Sequence, residues 1–242
     1  MIVIHIFGRS NSGKTTLIRT LCNRLATSGR VETIKHLGHH SFILEEGKDT
    51  TVHFTSGASG STGIDEEKCV TVVSDGDLFS ALDAASDRGA DFCIVEGYKN
   101  VLLPGAALGD VKGEHILMRD PTTEDIVSRL DEFPRWTTPK AILDALLRKG
   151  DGGVVGGIIH LHSVSKQSLE RAASTALTCQ NITAAQGSLS LSGCDIHSVR
   201  KRGFLAVTGR SAASVAYALL QGAEELEKDA HQEDFNRRKS EE

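Results

Sequence analysis

The chain opens on an apolar run, Ile2-Val3-Ile4-His5-Ile6-Phe7, and then breaks into a polar, glycine-bearing stretch. Beyond it, Leu17, Ile18, Leu21, Cys22 and Leu25 recur at helical spacing, and Gly29 is placed to stop that helix. Val31 to Lys35 reads as a second strand. A strand, a crossover helix and a strand in this order demand parallel pairing and a right-handed crossover. The alternation continues with a strand over 69–73 and a helix over 75–88 that carries Leu78, Phe79, Leu82 and Ala85 on one face. The nearly unbroken apolar run over 91–97 predicts a central strand covered on both faces. A short strand over 115–119 and a short helix over 121–130 follow. Between the second and third strands, residues 36–65 are polar and long for a connection, which marks a functional or mobile loop.

The pattern pauses over 131–139, where two of the four prolines stand, and then restarts. Helices are expected at 141–147, 165–177 and 212–228, and strands at 153–160, 188–192 and 203–208. The charged end over 229–242 is expected to fray. The chain therefore divides into an α/β unit over 1–130, built on a mainly parallel sheet, and a smaller α+β unit over 140–242. Its 242 residues can bury a proper core either way.

Composition narrows the partners. With 27 basic and 32 acidic residues and a net charge of −5, no basic footprint for nucleic acid is expected. There is no apolar run long enough to span a bilayer and no charged-then-apolar leader, so no membrane is expected and the cytoplasm is. Cys22, Cys69, Cys93, Cys179 and Cys194 are scattered without a C-x-x-C pair, which suits buried free thiols better than disulfides or zinc.

The polar stretch after the first strand carries the chemistry. Gly8-Arg9-Ser10-Asn11-Ser12-Gly13-Lys14-Thr15 fits G-x-x-x-x-G-K-[ST] at every defined position, between a strand and the helix that Thr16 continues. Successive backbone N–H groups over Gly8, Ser10, Asn11, Ser12 and Gly13 form an anion nest, backed by the positive end of the helix. Lys14 is placed to reach the β- and γ-phosphates, and the Thr15 hydroxyl to ligate Mg²⁺. Glu96, at the end of the most apolar strand, is the candidate second carboxylate for the metal. Lys99 is suited either to neutralise phosphate or to pair with Glu96. The cluster Lys35-His36-Leu37-Gly38-His39-His40 admits a metal, a polyphosphate or a plain surface role, with the polyphosphate favoured by its place after a strand. Lys48 and Asp49 lie in the same loop. The N-K-x-D signature of guanine recognition is absent, so the residues alone leave GTP and ATP open.

Taken in order, these motifs resemble the MobB family, the GTP-binding adaptors of molybdopterin-guanine dinucleotide biosynthesis. The resemblance rests on Gly8 to Thr15 with Thr16-Leu17-Ile18, then Lys35-His36 with His39-His40, Gly47-Lys48-Asp49, and Val95-Glu96-Gly97-Tyr98-Lys99. Ser56-Gly57-Ala58 matches a family Ala-Gly-Ala with serine at its first position. The acidic residue expected soon after the histidine pair is displaced to Glu45 or Glu46. The resemblance implies a P-loop NTPase fold, GTP with Mg²⁺, weak GTPase activity and a homodimer. It also implies partnership with the guanylyltransferase that joins GMP to molybdopterin, and contact with molybdopterin or its guanine dinucleotide.

Farther along, Gly153 to Gly157, Asp195-Ile196-His197-Ser198-Val199 and the final helix more loosely resemble the large subunit of molybdopterin synthase. Arg237 stands where that family uses a lysine in sulfur transfer, and an always-charged guanidinium cannot serve as that amine. A non-catalytic domain is expected there. The rival for the whole chain is a P-loop small-molecule kinase. Asn100 to Lys112, with Asp110 and Lys112 as its only charges, does not look like an arginine-bearing kinase lid.

Overall fold

The computed structural model describes all residues except 39–40, 75, 114, 151, 163, 193–201 and 241–242, together with the side chains of 162 and 228–240. At its centre lies β1 (Ile2–Gly8), whose burial is complete from Val3 onward. It pairs in parallel with β5 (Phe92–Glu96), which pairs in parallel with β2 (Val31–Lys35). On the opposite edge of β1 lies β6 (Gly105–Leu108), parallel, followed by β7 (Ile116–Arg119), also parallel. The order β2-β5-β1-β6-β7 makes a parallel sheet with its carboxyl ends on one side. This is an α/β architecture with a glycine loop leaving the central strand.

Each face of the sheet has its own core, as the two-residue period of a strand requires. Ile4, Ile6, Phe92 and Ile94 pack under α1 (Lys14–Leu25) through Leu17, Leu21 and Leu25, with Ile126 of α4 (Thr123–Ser128) beside them. Val3, Cys93 and Val95 face the other way, against Leu78, Leu82 and Ala85 of α3 (Leu78–Asp87). Burial pushes the Cys93 thiol up to about 12, which leaves it inert. Cys69 is exposed, so the expected burial of the thiols fails there.

The stretch expected to separate two units is woven into the first sheet. β8 (Arg135–Trp136) pairs antiparallel with β1 at Ile2, and β11 (Leu191–Ser192) pairs with β8. Val3 N–H donates to Pro134 O at 2.8 Å, and Phe133 and Trp136 are buried. Trp136 Nε1 donates to Asp83 Oδ1 at 2.9 Å. The same carboxylate receives Arg202 Nη2 at 2.9 and 3.1 Å. Arg202 opens β12 (Arg202–Gly209), so one carboxylate ties α3, β8 and the second sheet together. Replacing it strands an indole N–H and a half-buried guanidinium. Asp83→Ala is expected to lower stability by about 1–3 kcal/mol in urea denaturation while nucleotide affinity holds.

The second sheet is antiparallel, β10 (Ile182–Leu189), β12 and β9 (Val155–His162) in that spatial order. Leu205 and Val207 face α6 (Lys166–Leu177) and α7 (Ala212–Ser240), while Phe204 and Ala206 face α5 (Pro139–Lys149). A three-stranded sheet covered by helices on both faces is the α+β arrangement that the alternating apolar positions imply.

Five local expectations change. The strand expected over 188–192 is instead the end of β10 together with β11, which belong to different sheets. The loop over 36–65 contains α2 (Asp49–Thr55) and β3 (Gly60–Ile64). The strand over 69–73, β4 (Cys69–Val73), leaves the main sheet and forms an exposed hairpin with β3. β6 is an additional strand, because Gly-Ala-Ala-Leu carries no β-branched or aromatic signal. The final helix runs on to Ser240 instead of ending near 228, since its Glu, Lys, Arg, Gln and Ala residues are good helix formers.

Candidate functional site

The candidate site gathers at the carboxyl ends of the parallel strands. At Gly8 β1 and β6 run close together: a Cβ there would stand 2.4 Å from Leu108 O, so no other residue fits. Asn11 (φ 61°) and Gly13 (φ 86°) then take left-handed conformations that turn the chain into α1. Gly13 is the N-cap and makes no side-chain cap, which leaves the first N–H groups of the helix turned toward the loop. Lys14 Nζ arches back over the loop to Arg9 O, to Gly8 O at 3.3 Å and to Ser12 Oγ at 3.5 Å. Ser10, Thr15 and Thr16 are exposed beside it.

Glu96 ends β5 directly across from Lys35, and Lys35 Nζ lies 3.5 Å from Glu96 Oε1. Strand register therefore gives Glu96 to Lys35, and Lys99 keeps its charge free among the described residues. Burial lowers the pKa of Lys14; the Glu96 carboxylate opposes that shift, while Lys99 and Lys35 add to it. Glu96, Lys99 and Lys35 thus each act on Lys14 electrostatically.

The turn after β5 is tightly fixed. Gly97 (φ 93°) donates from its N–H to Ile6 O at 3.0 Å, and a Cβ on it would stand 3.0 Å from His36 Cβ. His36 N–H donates to Glu96 O at 2.9 Å, and its ring stacks on Tyr98 with centroids 4.5 Å apart. Beneath them His5, buried on β1, sets Nε2 2.7 Å from Gly97 O and Nδ1 2.9 Å from Leu103 O. Burial depresses the His5 pKa. Gly97→Ala forces a side chain into the left-handed region against His36. A loss of about 1–3 kcal/mol in stability is expected, read by thermal melting.

Lys48 and Asp49 stand elsewhere, at the start of α2. Lys48 pairs with Glu45 at 3.5 Å and lines a cavity of about 220 Å³ with Phe42, Ile43 and residues of the β3–β4 hairpin. No hydrogen bond or ion pair among the described residues joins them to the glycine loop. His39 and His40 lie outside the described residues, as do Asp195 to Val199; the Arg237 side chain does too. Among the described residues no cluster of three metal-ligating side chains occurs. Thr15 and Glu96 nevertheless suit Mg²⁺, which takes one or two protein ligands and completes its shell with phosphate and water. Sequence reasoning gave the Arg9 side chain no role and read Asp110 and Lys112 only as evidence against a kinase lid, yet all three join Gly8 and Lys99 around a cavity of about 290 Å³. Their isolated charges carried no motif; only the pairing of β1 with β6 brings them together.

A family model described as molybdopterin guanine dinucleotide synthesis protein B matches residues 3–127. The chain belongs to the MobB family. It is 28% identical over 153 residues to a putative molybdopterin-guanine dinucleotide biosynthesis adapter protein of Methanocaldococcus jannaschii, across 60% of this chain. The chain spans 64% of that relative's length. A crystal structure of MobB from Bacillus subtilis aligns over 54% of this chain and 98% of its own, with 22% identity and a TM-score of 0.43. A MobB homologue from Bacillus stearothermophilus aligns over 54% of this chain and 93% of its own, with 19% identity and a TM-score of 0.37. Among the described residues of this MobB-family chain, no helix is long and apolar enough to cross a membrane.

Proposed function

We propose that this chain is a GTP-binding adaptor of molybdenum cofactor biosynthesis, assisting a guanylyltransferase that attaches GMP to molybdopterin. The observation that carries the reading is the convergence of Lys14, Lys35, Lys99 and Glu96 on a glycine loop at the carboxyl edge of a parallel sheet, in a MobB-family chain. The loop N–H groups and Lys14 hold the phosphates, and Thr15 with Glu96 would hold Mg²⁺, which supplies charge neutralisation when bound. Hydrolysis is slow where no arginine finger is supplied from outside the chain. Residues 1–130 act as the nucleotide unit, and 140–242 as a non-catalytic unit that docks another component of the same machinery.

The exposed side chains of Phe42, Ile43 and Val70 around the α2–hairpin cavity, and of Ile64 and Val73 on the hairpin's other face, support a homodimer. Titration of GTP and of ATP, each with Mg²⁺, tests the nucleotide assignment. A preference for GTP of roughly tenfold or more is expected. Equal or tighter ATP binding sinks it and favours the kinase.

A further inference from the structure

We propose that the cavity beside the glycine loop, lined by Gly8, Arg9, Lys99, Asp110, Val111 and Lys112, is a second anion site that takes the phosphate monoester of a small molecule bound next to the nucleotide. The inference rests on the nucleotide reading of the loop, and extends it to a second ligand. At about 290 Å³ the cavity stands at the floor of the range for small-molecule sites.

Charge identifies the ligand. Several lysines elsewhere pair with carboxylates, Lys35 with Glu96, Lys68 with Asp65, Lys140 with Asp144 and Lys166 with Glu170, whereas Lys149 stands alone among the described residues. Around this cavity the side chains of Arg9, Lys99 and Lys112 have no ion-pair or hydrogen-bond partner among the described residues, although Asp110 shares the wall. Three cations and one carboxylate leave an excess of two positive charges. A phosphate monoester carries close to two negative charges at neutral pH and three strong acceptor oxygens. The Arg9 guanidinium offers the planar fork that such a group accepts bidentately, and the lysines act as point charges. Asp110 supplies the acceptor for a hydroxyl or N–H on the body of the same molecule.

The cavity is also built rather than accidental. Parallel pairing of β1 with β6 sets Gly8 opposite Leu108, which carries the following loop to the wall. Asp120 Oδ1 accepts from Gly109 N–H at 2.6 Å, and Arg119 Nη1 donates to Val111 O at 2.8 Å, so the backbone of the wall is held at Gly109 and Val111 from the end of β7. Gly8 and Arg9, the first two residues of the loop, line the cavity, which places it against the loop.

The test uses the full chain and two probes, phenyl phosphate and inorganic phosphate, followed by ³¹P NMR and calorimetry. The Lys14→Ala variant removes the loop's own phosphate grip. Saturable phenyl phosphate binding is expected both to this variant and to wild type already loaded with GDP and Mg²⁺. In the wild-type background, Lys112→Ala should weaken phenyl phosphate roughly tenfold or more while GTP affinity stays within about twofold. Loss of phenyl phosphate binding with Lys14→Ala alone would show that the probe sits in the glycine loop, and overturns the proposal. So does a fall in GTP affinity that matches the fall for phenyl phosphate, since the cavity would then belong to the nucleotide. Binding of inorganic phosphate with phenyl phosphate excluded overturns the monoester assignment. Failure of the nucleotide reading shows separately, as wild type that binds neither GTP nor ATP, and the Lys14→Ala titration judges the cavity in that case as well.

Discussion

Lys14→Ala should cost this protein its nucleotide, with affinity falling roughly 30-fold to several thousandfold and the fold intact. The range follows from removing one partner of a hydrogen-bonded charge pair, about 2–5 kcal/mol, at 1.4 kcal/mol per decade. The upper part applies if phosphate replaces water around the ammonium, and burial that already depresses the Lys14 pKa points that way. Lys14 holds only loop acceptors, Gly8 O, Arg9 O and Ser12 Oγ, so its removal opens no core cavity. Lys14→Arg is a useful companion. It keeps the charge but not the compact ammonium that fits within the loop, and it too should bind weakly. Calorimetric titration together with a thermal melt separates lost affinity from lost structure.

Trp136→Ala should produce the largest change in stability, about 3–5 kcal/mol, because a fully buried aromatic leaves a cavity that the fixed strands cannot close. The indole stacks near Phe79 with centroids 5.7 Å apart and packs among Val3, Leu78, Leu82 and Leu191. It also spends its N–H on Asp83. Because β8 lies against β1 and carries β11 on its other edge, the loss should loosen the first sheet and its joint with the second together. Urea denaturation would show one displaced transition. A transition unchanged from wild type would mean that the segment over 131–139 is a dispensable link.

That segment shows where sequence reading runs short. Its prolines mark a break in periodicity, and a break reads equally as a linker or as a short edge strand. Only the tertiary pairing of Arg135 with Ile2 decides it. Glu96 was legible because the apolar run before it is long enough to be a covered strand, and the glycine loop because its spacing is a chemical requirement. The partner of Glu96 was not legible. Spacing of three residues suggested Lys99, whereas the register of β2 on β5 supplies Lys35. His5 escaped notice because a histidine inside an apolar run signals no partner until the Gly97 and Leu103 carbonyls are brought over it. Lys48 and Asp49 read as neighbours of the nucleotide because they share a loop with the Lys35–His40 cluster, yet α2 seats them beside the β3–β4 hairpin.

The measurement that bears most directly on the adaptor reading is recovery of a complex with the molybdopterin guanylyltransferase of the same organism. Purified chain is immobilised with GTP and Mg²⁺, with ATP and Mg²⁺, or without nucleotide, and the Lys14→Ala variant runs alongside. The account predicts that the guanylyltransferase is retained by wild type with GTP and that Lys14→Ala weakens or abolishes this retention. No retention under any condition, or rapid nucleotide-dependent phosphorylation of a small metabolite by the chain alone, would contradict it.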